Sequence, residues 1–478
     1  MHAETAYLFR HALLRDAAYQ LQLPGARAQL HALACTILEN LGGGRPPEPP
    51  PLDAADPLPF TPHPTDALAR DLADHARLAG AALGGDGGDE ALYLRRAAEH
   101  ADQAGRPEEA VGCWERLARV ISGGAKCESL RRAAECARQS GRLESAGALV
   151  AGAWELVQAS ESGPLKARLL CTHAAVDRAT GRVEASERRY GEAITLLRSL
   201  GHRRGLAQGL VGMATLLMET GRLERAEQVH EEALALHREV GNRRGEGLVL
   251  GNLANLYSET GRREEAALAY GQALAIHRET GNRRVEGVAL GNLALLHRME
   301  GRLEASERAL EQALEIHREV GNRRSEGITL GNLANGHGAA GRRHEAQRAL
   351  EQALAIHREV SNRRLEGIAL AALAPLYRDA GRHAEAEEAS RQALEIHRAS
   401  GDRRFEGLHF CDEALRNLTL GRIDAARAAW AAGWGMLSAI GGAADLERKD
   451  AEMRAACERL GLPPLEPGGP EGRPGYSS

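Results

Sequence analysis

Residues 250–254 read Leu-Gly-Asn-Leu-Ala, and the same five residues return at 290–294 and at 330–334. The spacing is 40 residues, and it is shared by a Gly-Arg pair that begins at 181, 221, 261, 301, 341, 381 and 421. Between these pairs lies a second signal, Gly-Asn-Arg-Arg, which starts at 241, 281 and 321 and is varied as Ser361-Asn362 and Gly401-Asp402. A fixed period of this length predicts a solenoid or a propeller.

Each period contains two segments whose apolar residues recur with the spacing of one face of a helix. The first segment carries Leu250, Leu253, Ala254 and Tyr257, and the second carries Ala266, Tyr270, Ala273, Leu274 and His277. Gly261 separates them, and glycine readily takes the left-handed conformation that ends a helix. Asn242 and Asn282 are suited to cap the helices that follow them. No alternation of period two is present, so the pattern predicts an all-α solenoid of stacked helical hairpins.

These residues resemble the tetratricopeptide repeat. The match in order and spacing consists of Leu250, Leu253, Ala254, Tyr257, Gly261, Ala266, Tyr270 and Ala273. The Gly-Asn-Leu-Ala core and the long period are most similar to the repeats of kinesin light chain and of the Leu-Gly-Asn adaptors. The period exceeds the usual length of about 34 residues, and Arg278 stands where a proline is common. The resemblance implies a tetratricopeptide-type superhelix with a concave groove that binds proteins or peptides.

Weaker copies of the pattern extend the array in both directions. We expect about nine helical hairpins over residues 90–441, because glycines and apolar stripes recur throughout this range. The remaining predicted parts are a helical segment at 1–41, a Pro-rich linker at 42–64, a helix and Gly-rich loop at 65–89, a capping helix at 442–462 and a disordered tail at 463–478.

The N-terminal segment carries a second resemblance. The run from Phe9 to Tyr19, with Leu30-His31 downstream, is similar to the end of the ATPase region in bacterial signal-transduction ATPases that carry repeat arms. In that family a nucleotide-binding domain precedes the motif, whereas this chain begins at Met1 just before it. We therefore expect a fragment, a split gene or a misassigned start. An ordinary helical hairpin is the alternative.

Composition excludes several classes of function. Hydrophobic residues make up 43% and charged residues 27% of the chain, as in folded soluble proteins. The formal net charge is only −5, so no bulk attraction to nucleic acid or to a membrane is expected. The seven cysteines form no Cys-x-x-Cys pair, which favours free thiols in a reducing compartment. No signal peptide and no run of 18 apolar residues is present, so a cytoplasmic protein is predicted.

No catalytic motif is recognisable. Only three lysines occur, at 126, 166 and 449, and none follows a glycine as a phosphate-binding loop requires. The zinc-binding helix motif fails because Arg348 takes the place of its second histidine after His344-Glu345. A Gly-x-Ser-x-Gly nucleophile motif is also absent. The sequence therefore predicts a protein that is not an enzyme and that carries no cofactor and no metal.

Two periodic features lend themselves to a functional reading. The first is a histidine near the end of each second helix, at 237, 277, 317, 357 and 397. Copies in successive repeats lie about 10–20 Å apart, too far to share a metal ion. We expect the rings to bond the last carbonyls of the helix and to favour its dipole, with pH sensing as an alternative.

The second is an arginine doublet in each repeat, from Arg203-Arg204 to Arg403-Arg404. A basic ridge for an acidic partner is one interpretation. The preferred one is that inter-repeat ion pairs with Glu239, Glu246 and their copies absorb the charge, because these glutamates lie within one turn of the doublets.

The candidate binding residues are asparagines of the first helices. They are Asn252, Asn255, Asn292, Asn332 and Asn335. In the resembling family these positions face the groove, and an Asn side chain offers both a donor and an acceptor to a peptide backbone. Arg298 and Arg378 lie beside them and would select acidic residues in the ligand. The alternative is that recent duplication copied harmless residues.

The sequence thus favours a non-catalytic interaction scaffold for signal transduction that binds a partner protein or an extended peptide. Neither nucleic acid nor a membrane is an expected partner. The alternative is the C-terminal regulatory arm of a split or truncated bacterial signal-transduction ATPase or kinase regulator, in which case a signalling ATPase or kinase is the partner.

Overall fold

The computed structural model describes residues 19–56, 60–83, 88–158 and 162–465. Within these ranges every regular element is a helix, and no strand occurs. The motif residues before Tyr19, most of the predicted Gly-rich loop and the tail after Leu465 lie outside the described residues. The chain divides after Asn282 into an N-terminal unit and a C-terminal unit.

The N-terminal unit begins with α1 (Pro24–Leu41) and α2 (Ala69–Ala79), with short 3₁₀ helices at Pro64–Leu68 and Gly80–Leu83. Its hairpins are α3 (Gly88–Gln103) with α4 (Pro107–Val120), α5 (Gly123–Gln139) with α6 (Leu143–Gln158), α7 (Gly163–Ala179) with α8 (Val183–Ser199), α9 (Arg203–Glu219) with α10 (Leu223–Glu239), and α11 (Arg243–Glu259) with α12 (Arg263–Glu279).

The C-terminal unit continues the same pattern. Its hairpins are α13 (Arg283–Met299) with α14 (Leu303–Glu319), α15 (Arg323–Ala339) with α16 (Arg343–Glu359), α17 (Arg363–Asp379) with α18 (His383–Ala399), and α19 (Arg403–Thr419) with α20 (Ile423–Ala439). The last helix of the described chain is α21 (Ala443–Arg459). The all-α solenoid of hairpins predicted from the 40-residue period is confirmed.

Glycine and asparagine set the helix boundaries as the sequence predicts. Gly241 ends α10 with a φ of +64°, and the following amide, on Asn242, donates to the carbonyl of His237 at 2.8 Å. The Asn242 side chain then accepts a hydrogen bond from the amide of Gly245 at 3.0 Å. These bonds satisfy a terminal carbonyl of one helix and a terminal amide of the next. One short segment therefore fixes the angle at which two helices meet.

Stacking buries the apolar stripe of each helix. Within each unit a first helix packs against its own second helix and against the second helix of the preceding hairpin. In the C-terminal unit, Leu370 and Leu373 of α17 form a core with Ala389 and Ala393 of α18. The core relies on small residues, so the helices approach closely. Neighbouring first helices, such as α13 and α15, also contact each other directly.

The end of the array is covered by α21. Trp430 of α20 and Cys411 of α19 are fully buried, and Met453 and Cys457 of α21 complete the same cluster. The last hairpin has no further hairpin to pack against. The helix α21 takes the place of that missing neighbour, and it presents apolar residues on only one of its sides. All seven cysteines are free. Burial raises the pKa of the Cys411 thiol to about 12, so this thiol is inert at neutral pH.

Candidate peptide-binding face

The first helices bury one side and present the other. In α15, Leu330, Leu333 and Ala334 are buried, whereas the opposite side carries residues with one-turn spacing that are exposed or half-buried. We call this side in the C-terminal unit the first-helix face. It consists of residues 288, 291, 292 and 295 of α13, residues 328, 331, 332 and 335 of α15, and residues 368, 371, 372, 375 and 378 of α17.

Three of the five predicted asparagines lie on the first-helix face. Asn292 and Asn332 are half-buried, and Asn335 is exposed. The Asn332 side chain makes no hydrogen bond to the described residues, so both its donor and its acceptor are open to a ligand. The equivalent position in successive first helices thus carries an amide that points away from the core.

The other two asparagines belong to α11 in the N-terminal unit. Asn252 and Asn255 are both half-buried. The Oδ1 atom of Asn255 accepts a hydrogen bond from the Tyr270 hydroxyl at 2.5 Å, which links the two helices of its hairpin. Asn255 therefore has a structural role in addition to its predicted binding role, because the buried Tyr270 hydroxyl needs this partner.

The two predicted arginines lie in different pockets of the C-terminal unit. Arg298, at the exposed end of α13, borders a small cleft against Leu333 and His337 of α15. Arg378 is half-buried and lines a pocket of about 120 Å³ between α17 and α19, together with Pro375 and Arg416. The structure therefore does not bring the two arginines together.

Arg378 makes no direct ion pair with the described residues, although two carboxylates, Asp412 and Glu413, line its pocket. Burial lowers the pKa of Arg378, and the neighbouring Arg416 lowers it further, whereas Asp412 and Asp379 oppose the shift. Each carboxylate around Arg378 is already paired with another cation. The pairs are Asp412 with Lys449 at 2.5 Å, Glu413 with Arg416 at 3.2 Å, and Asp379 with Arg343 at 3.2 Å. The pocket is therefore electrostatically suited to an anionic group.

Glycines of the first-helix face were missed by sequence analysis. A Cβ atom placed on Gly291 or on Gly331 would have no neighbour within 4 Å, so internal packing does not require glycine there. Glycine is second only to proline in disfavouring a helix interior. Both residues lie in the middle of a helix, so this loss of helix stability could have drawn attention to them in the sequence. The open space around them is visible only in the three-dimensional structure.

Other glycines of the same helices have a packing role. A Cβ atom on Gly327 would lie 2.7 Å from the ring of His357, and Gly287 and Gly367 meet His317 and His397 in the same way. These glycines make the space that each histidine ring occupies. The rings of His317, His357 and His397 are 3% exposed or less.

Burial weakens the predicted interaction of these histidines with the helix dipole. Burial lowers the pKa of His317, His357 and His397, so the neutral ring is favoured and a favourable charge–dipole interaction is lost. No local pattern pointed to the glycine that receives each ring, because that glycine lies 30 residues earlier, on the partner helix. Among the described residues, no group of three or more potential ligands is placed to hold a metal ion.

The arginine doublets form the predicted ion pairs. Arg323 contacts Glu326 at 2.6 Å and Glu359 at 2.5 Å, and Arg318 contacts the same Glu326 at 3.0 Å. Glu326 is only 4% exposed, so it depends on these cations for compensation. The pattern recurs around Glu246 and Glu366. The second arginine of the doublet, Arg324, stays exposed and has no partner among the described residues.

The architecture defines an α-solenoid of stacked helical hairpins. Residues 205–279, 286–359 and 327–399 match the model of the tetratricopeptide repeat. The chain therefore carries tetratricopeptide repeats over these residues, and the resemblance drawn from the sequence is confirmed. No curated protein sequence matches the chain. Among the described residues, no helix is both long enough and apolar enough to cross a membrane.

Two solved structures, each with a TM-score of 0.51, show the same fold. A Rap protein complexed with competence and sporulation factor aligns with a TM-score of 0.51 and 14% identity, over 70% of this chain and 97% of its own. A signal transduction ATPase with a tetratricopeptide repeat sensor, from Pyrococcus horikoshii, aligns with a TM-score of 0.51 and 14% identity, over 72% of this chain and 54% of its own. BtubC from P. vanneervenii aligns with a TM-score of 0.42 and 23% identity, over 46% of this chain and 92% of its own.

Proposed function

We propose that the protein is a non-catalytic interaction scaffold of the cytoplasm, and that the first-helix face binds an acidic segment of a partner protein. Tetratricopeptide repeats form an all-helical fold that is typically non-catalytic, and the face combines amide side chains with an arginine that makes no direct ion pair. The Rap protein that shares this fold is described in complex with a competence and sporulation factor, which agrees with a ligand-binding role.

The observation that carries this proposal is the environment of Arg378. A guanidinium that is partly desolvated is costly unless an anion compensates it. Every nearby carboxylate is committed to another cation, as described above. A carboxylate from outside the chain completes the site, and Pro375 and Ala371 provide an apolar floor beside it. Arg also forms two parallel hydrogen bonds to a carboxylate, which adds geometric selectivity.

The asparagines extend the same face away from Arg378. Asn332 and Asn335 lie on α15, the first helix before α17. Amide side chains of this kind pair with both groups of a peptide bond and do not depend on the ligand's sequence. We therefore expect the amide side chains of this face to bind the main chain of the ligand and Arg378 to select an acidic side chain.

The test begins with a pull-down on the full chain from native lysate, followed by calorimetric titration of peptides from the captured partner. Arg378→Gln should weaken the binding of an acidic peptide by about tenfold or more, because a charge-assisted hydrogen bond is lost. Replacement of the peptide's acidic residue by its amide should weaken wild-type binding equally and should add nothing in the variant.

Arg324→Gln is the matched control. Arg324 is also an unpaired arginine of the C-terminal unit, but it lies at the start of α15 and outside the first-helix face. Its removal should leave affinity unchanged. If Arg324→Gln weakens binding and Arg378→Gln does not, the binding surface is the arginine edge and the proposal is overturned.

A second candidate function is a regulatory arm of a signalling ATPase. It is favoured by an apolar stripe on α1 that the described structure leaves exposed. Leu30, Leu33, Ile37 and Leu41 follow one another with one-turn spacing and are 45%, 56%, 49% and 75% exposed. Stripes of this kind usually lie under another protein surface. The Pyrococcus horikoshii ATPase is described as having a tetratricopeptide repeat sensor.

Genomic sequence tests this alternative directly. If the chain is an arm, an open reading frame upstream of Met1 or in the adjacent gene should encode a nucleotide-binding domain. That domain, when coexpressed, should form a complex with the full chain, and Leu33→Glu with Ile37→Glu should abolish the complex. The Arg324→Gln variant should bind the domain normally. A nucleotide-binding domain that is present but does not bind would count against the arm.

A further inference from the structure

We propose that residues 50–56 act as an autoinhibitory strap, which occupies in cis a basic surface of the N-terminal unit that otherwise binds an acidic, proline-rich segment of a partner protein. We call these residues the strap. They belong to the Pro-rich segment 42–64, for which the sequence predicts an extended linker. The surface under the strap lies in the N-terminal unit and shares no residue with the first-helix face, so the two sites are independent.

The strap contacts the first helices of four consecutive hairpins. It forms no helix of its own. Its contacts lie at Arg95 of α3, at Gly124 of α5, at Arg168 of α7 and at His202, the residue that precedes α9. A linker between α1 and α2 needs none of these contacts, because α1 packs directly on α2 and α2 on α3. The strap therefore follows the array further than the connection of the helices requires.

Arginine side chains hold the strap by its carbonyl groups. Nη1 of Arg168 donates hydrogen bonds to the carbonyl oxygens of Ala54 and Ala55 at 2.9 and 2.8 Å. Arg95 donates in the same way to the carbonyl of Pro50. Hydrogen bonds from a charged donor are stronger than neutral ones, and these bonds do not depend on the side chains of the strap. A segment of another protein can therefore accept the same bonds.

His202 holds the end of the strap. Its Nδ1 atom accepts a hydrogen bond from the amide of Gly205 at 3.0 Å, so the neutral ring carries its hydrogen on Nε2. The Nε2 atom donates to the carbonyl of Ala55 at 3.2 Å, and a carboxylate oxygen of Asp56 lies 3.4 Å from the same atom. An acidic residue at the position of Asp56 therefore adds to the contact that the main chain makes.

A second carboxylate of the strap lies at the start of α5. A Cβ atom on Gly124 would collide with the side chain of Asp53, so these two residues are in close contact. The first turn of α5 carries no acidic residue of its own, and its N-cap residue, Ser122, makes no capping bond with its side chain. Asp53 supplies the negative charge that a helix N-terminus favours. The surface therefore matches a ligand with acidic residues.

Four arginines share two buried glutamates next to the strap. The glutamates are Glu99 and Glu128, which are 6% and 0% exposed. Their ion-pair partners are the arginines at 95, 131, 132 and 168. Burial lowers the pKa of Arg168, Glu128 opposes the shift, and two neighbouring arginines add to it. Nη2 of Arg168 is buried and has no hydrogen-bond partner among the described residues. A carboxylate from a partner would supply the acceptor that the strap does not provide there.

The two arms of the segment are anchored unequally. The returning arm, residues 60–66, is fixed to α3 by an ion pair of 2.6 Å between Asp66 and Arg96, both of which are buried. In the strap only Leu52 is buried, and the end at Asp56 is exposed. Hydrogen bonds between exposed segments and long side chains open more readily than a buried ion pair. The strap is therefore the part of the segment that a partner displaces.

The experiment uses the full chain and a labelled peptide with the sequence of residues 47–56. In one variant a Gly-Ser linker of equal length replaces the strap, and in a second Leu52→Ser removes its buried side chain. Both variants should bind the peptide at least about tenfold more tightly than the wild type, because the tethered strap of the wild type competes at a high effective concentration. Fluorescence anisotropy measures the binding, and circular dichroism checks that each variant is folded.

Peptides with Asp in place of Ala54 or of Ala55 test the open acceptor position at Arg168. The better placed of the two should bind the Gly-Ser variant about tenfold more tightly than the parent peptide, because a charge-assisted hydrogen bond is added. Arg168→Gln should cancel this gain. Arg119→Gln is the matched control, since Arg119 is an exposed arginine of α4, and it should leave every affinity unchanged.

A scrambled peptide should bind none of these proteins. If both variants stay folded and neither binds the parent peptide, the strap covers no binding surface and the proposal is overturned. Loss of the fold in both variants would overturn it as well, because the strap would then be a fixed part of the structure. If only the Gly-Ser variant unfolds, the result with Leu52→Ser decides. Equal binding of the scrambled peptide would show a merely basic surface and would also overturn the proposal.

Discussion

Ser361 occupies a backbone conformation that the other copies of its turn give to glycine. Its φ is +53°, and Gly321 in the preceding repeat has a φ of +63°. A left-handed conformation costs a residue with a Cβ atom about 1–2 kcal/mol. The strain at Ser361 is thus a local property of one residue in an otherwise regular array.

Ser361→Gly should stabilise the protein by about 0.5–1 kcal/mol, since relief of strain is partly offset by the greater freedom of glycine in the unfolded chain. Hydrogen exchange of amides in α16 and α17 measures the effect locally, and urea unfolding measures it globally. Gly321→Ser is the reverse control and should cost a similar amount. Equal stability of all three proteins would contradict the strain argument.

Leucines at one repeat position differ more in burial than their register predicts. Leu253, Leu333 and Leu373 are 3%, 6% and 0% exposed, whereas Leu293 is only half-buried. Periodicity assigns a side chain to a face of its helix. The depth of burial depends on the packing of the adjoining hairpins, which the sequence pattern does not specify.

Leu373→Ala should therefore destabilise the C-terminal unit by about 2–5 kcal/mol, as expected for a fully buried leucine. Leu293→Ala should cost clearly less, because fewer contacts are lost and water fills the site. Chemical denaturation monitored by circular dichroism compares the two variants. The structural account is wrong if Leu293→Ala proves the more damaging substitution.

At the scale of the element, the second helices α14, α16 and α18 each place a histidine ring in a recess of the partner helix. His317 and His357 lie against Gly287 and Gly327. The sequence predicted the helices and the position of the histidines, because both follow from the period. It did not predict the recess, because that requires knowing which turns of two antiparallel helices face each other.

The buried rings make stability depend on pH. The pKa of His317 and of His357 is lowered in the folded state by burial, so the unfolded chain binds protons more readily than the folded one. Their contribution to stability is complete above the unfolded pKa of about 6.5 and is lost as pH falls below it. For His317, Arg284 adds to this shift, whereas Glu326 opposes it.

Thermal melts between pH 7.5 and pH 4.5 should therefore show decreasing stability toward acid. The chain supplies its own control, since Leu437 occupies the equivalent recess opposite Gly407. His317→Leu with His357→Leu should keep the fold and reduce the slope of melting temperature against pH. An unchanged slope would mean that the paired carboxylates, and not these histidines, set the acid sensitivity.

At the scale of the whole molecule, the fold was predictable from the sequence and the binding surface only partly so. Period, helix stripes and glycine stops all act locally, and they specify hairpins that must stack. The asparagines and Arg378 were selected through a resemblance. The Arg378 pocket arises from two hairpins, with Arg416 and His409 of α19 beside Pro375 of α17, so no local pattern could reveal it.

The last prediction distinguishes binding residues from packing residues by comparing the changes in peptide affinity and in stability that a substitution causes. Asn332→Ala with Asn335→Ala should weaken peptide binding by about 1–3 kcal/mol, a factor of roughly 5–150. Stability should be unchanged or slightly higher, because alanine is the better helix former. Calorimetric titration and thermal melts of the full chain measure the two effects.

Asn255→Ala supplies the contrast for that pair. Its side chain accepts a hydrogen bond from Tyr270 at 2.5 Å, so its loss leaves a buried hydroxyl without that partner and should lower stability by about 1–3 kcal/mol. If the double variant instead gains stability and keeps its affinity, the asparagines of α15 are products of repeat duplication without a binding role. The exposed arginine edge around Arg324 would then be the surface to test.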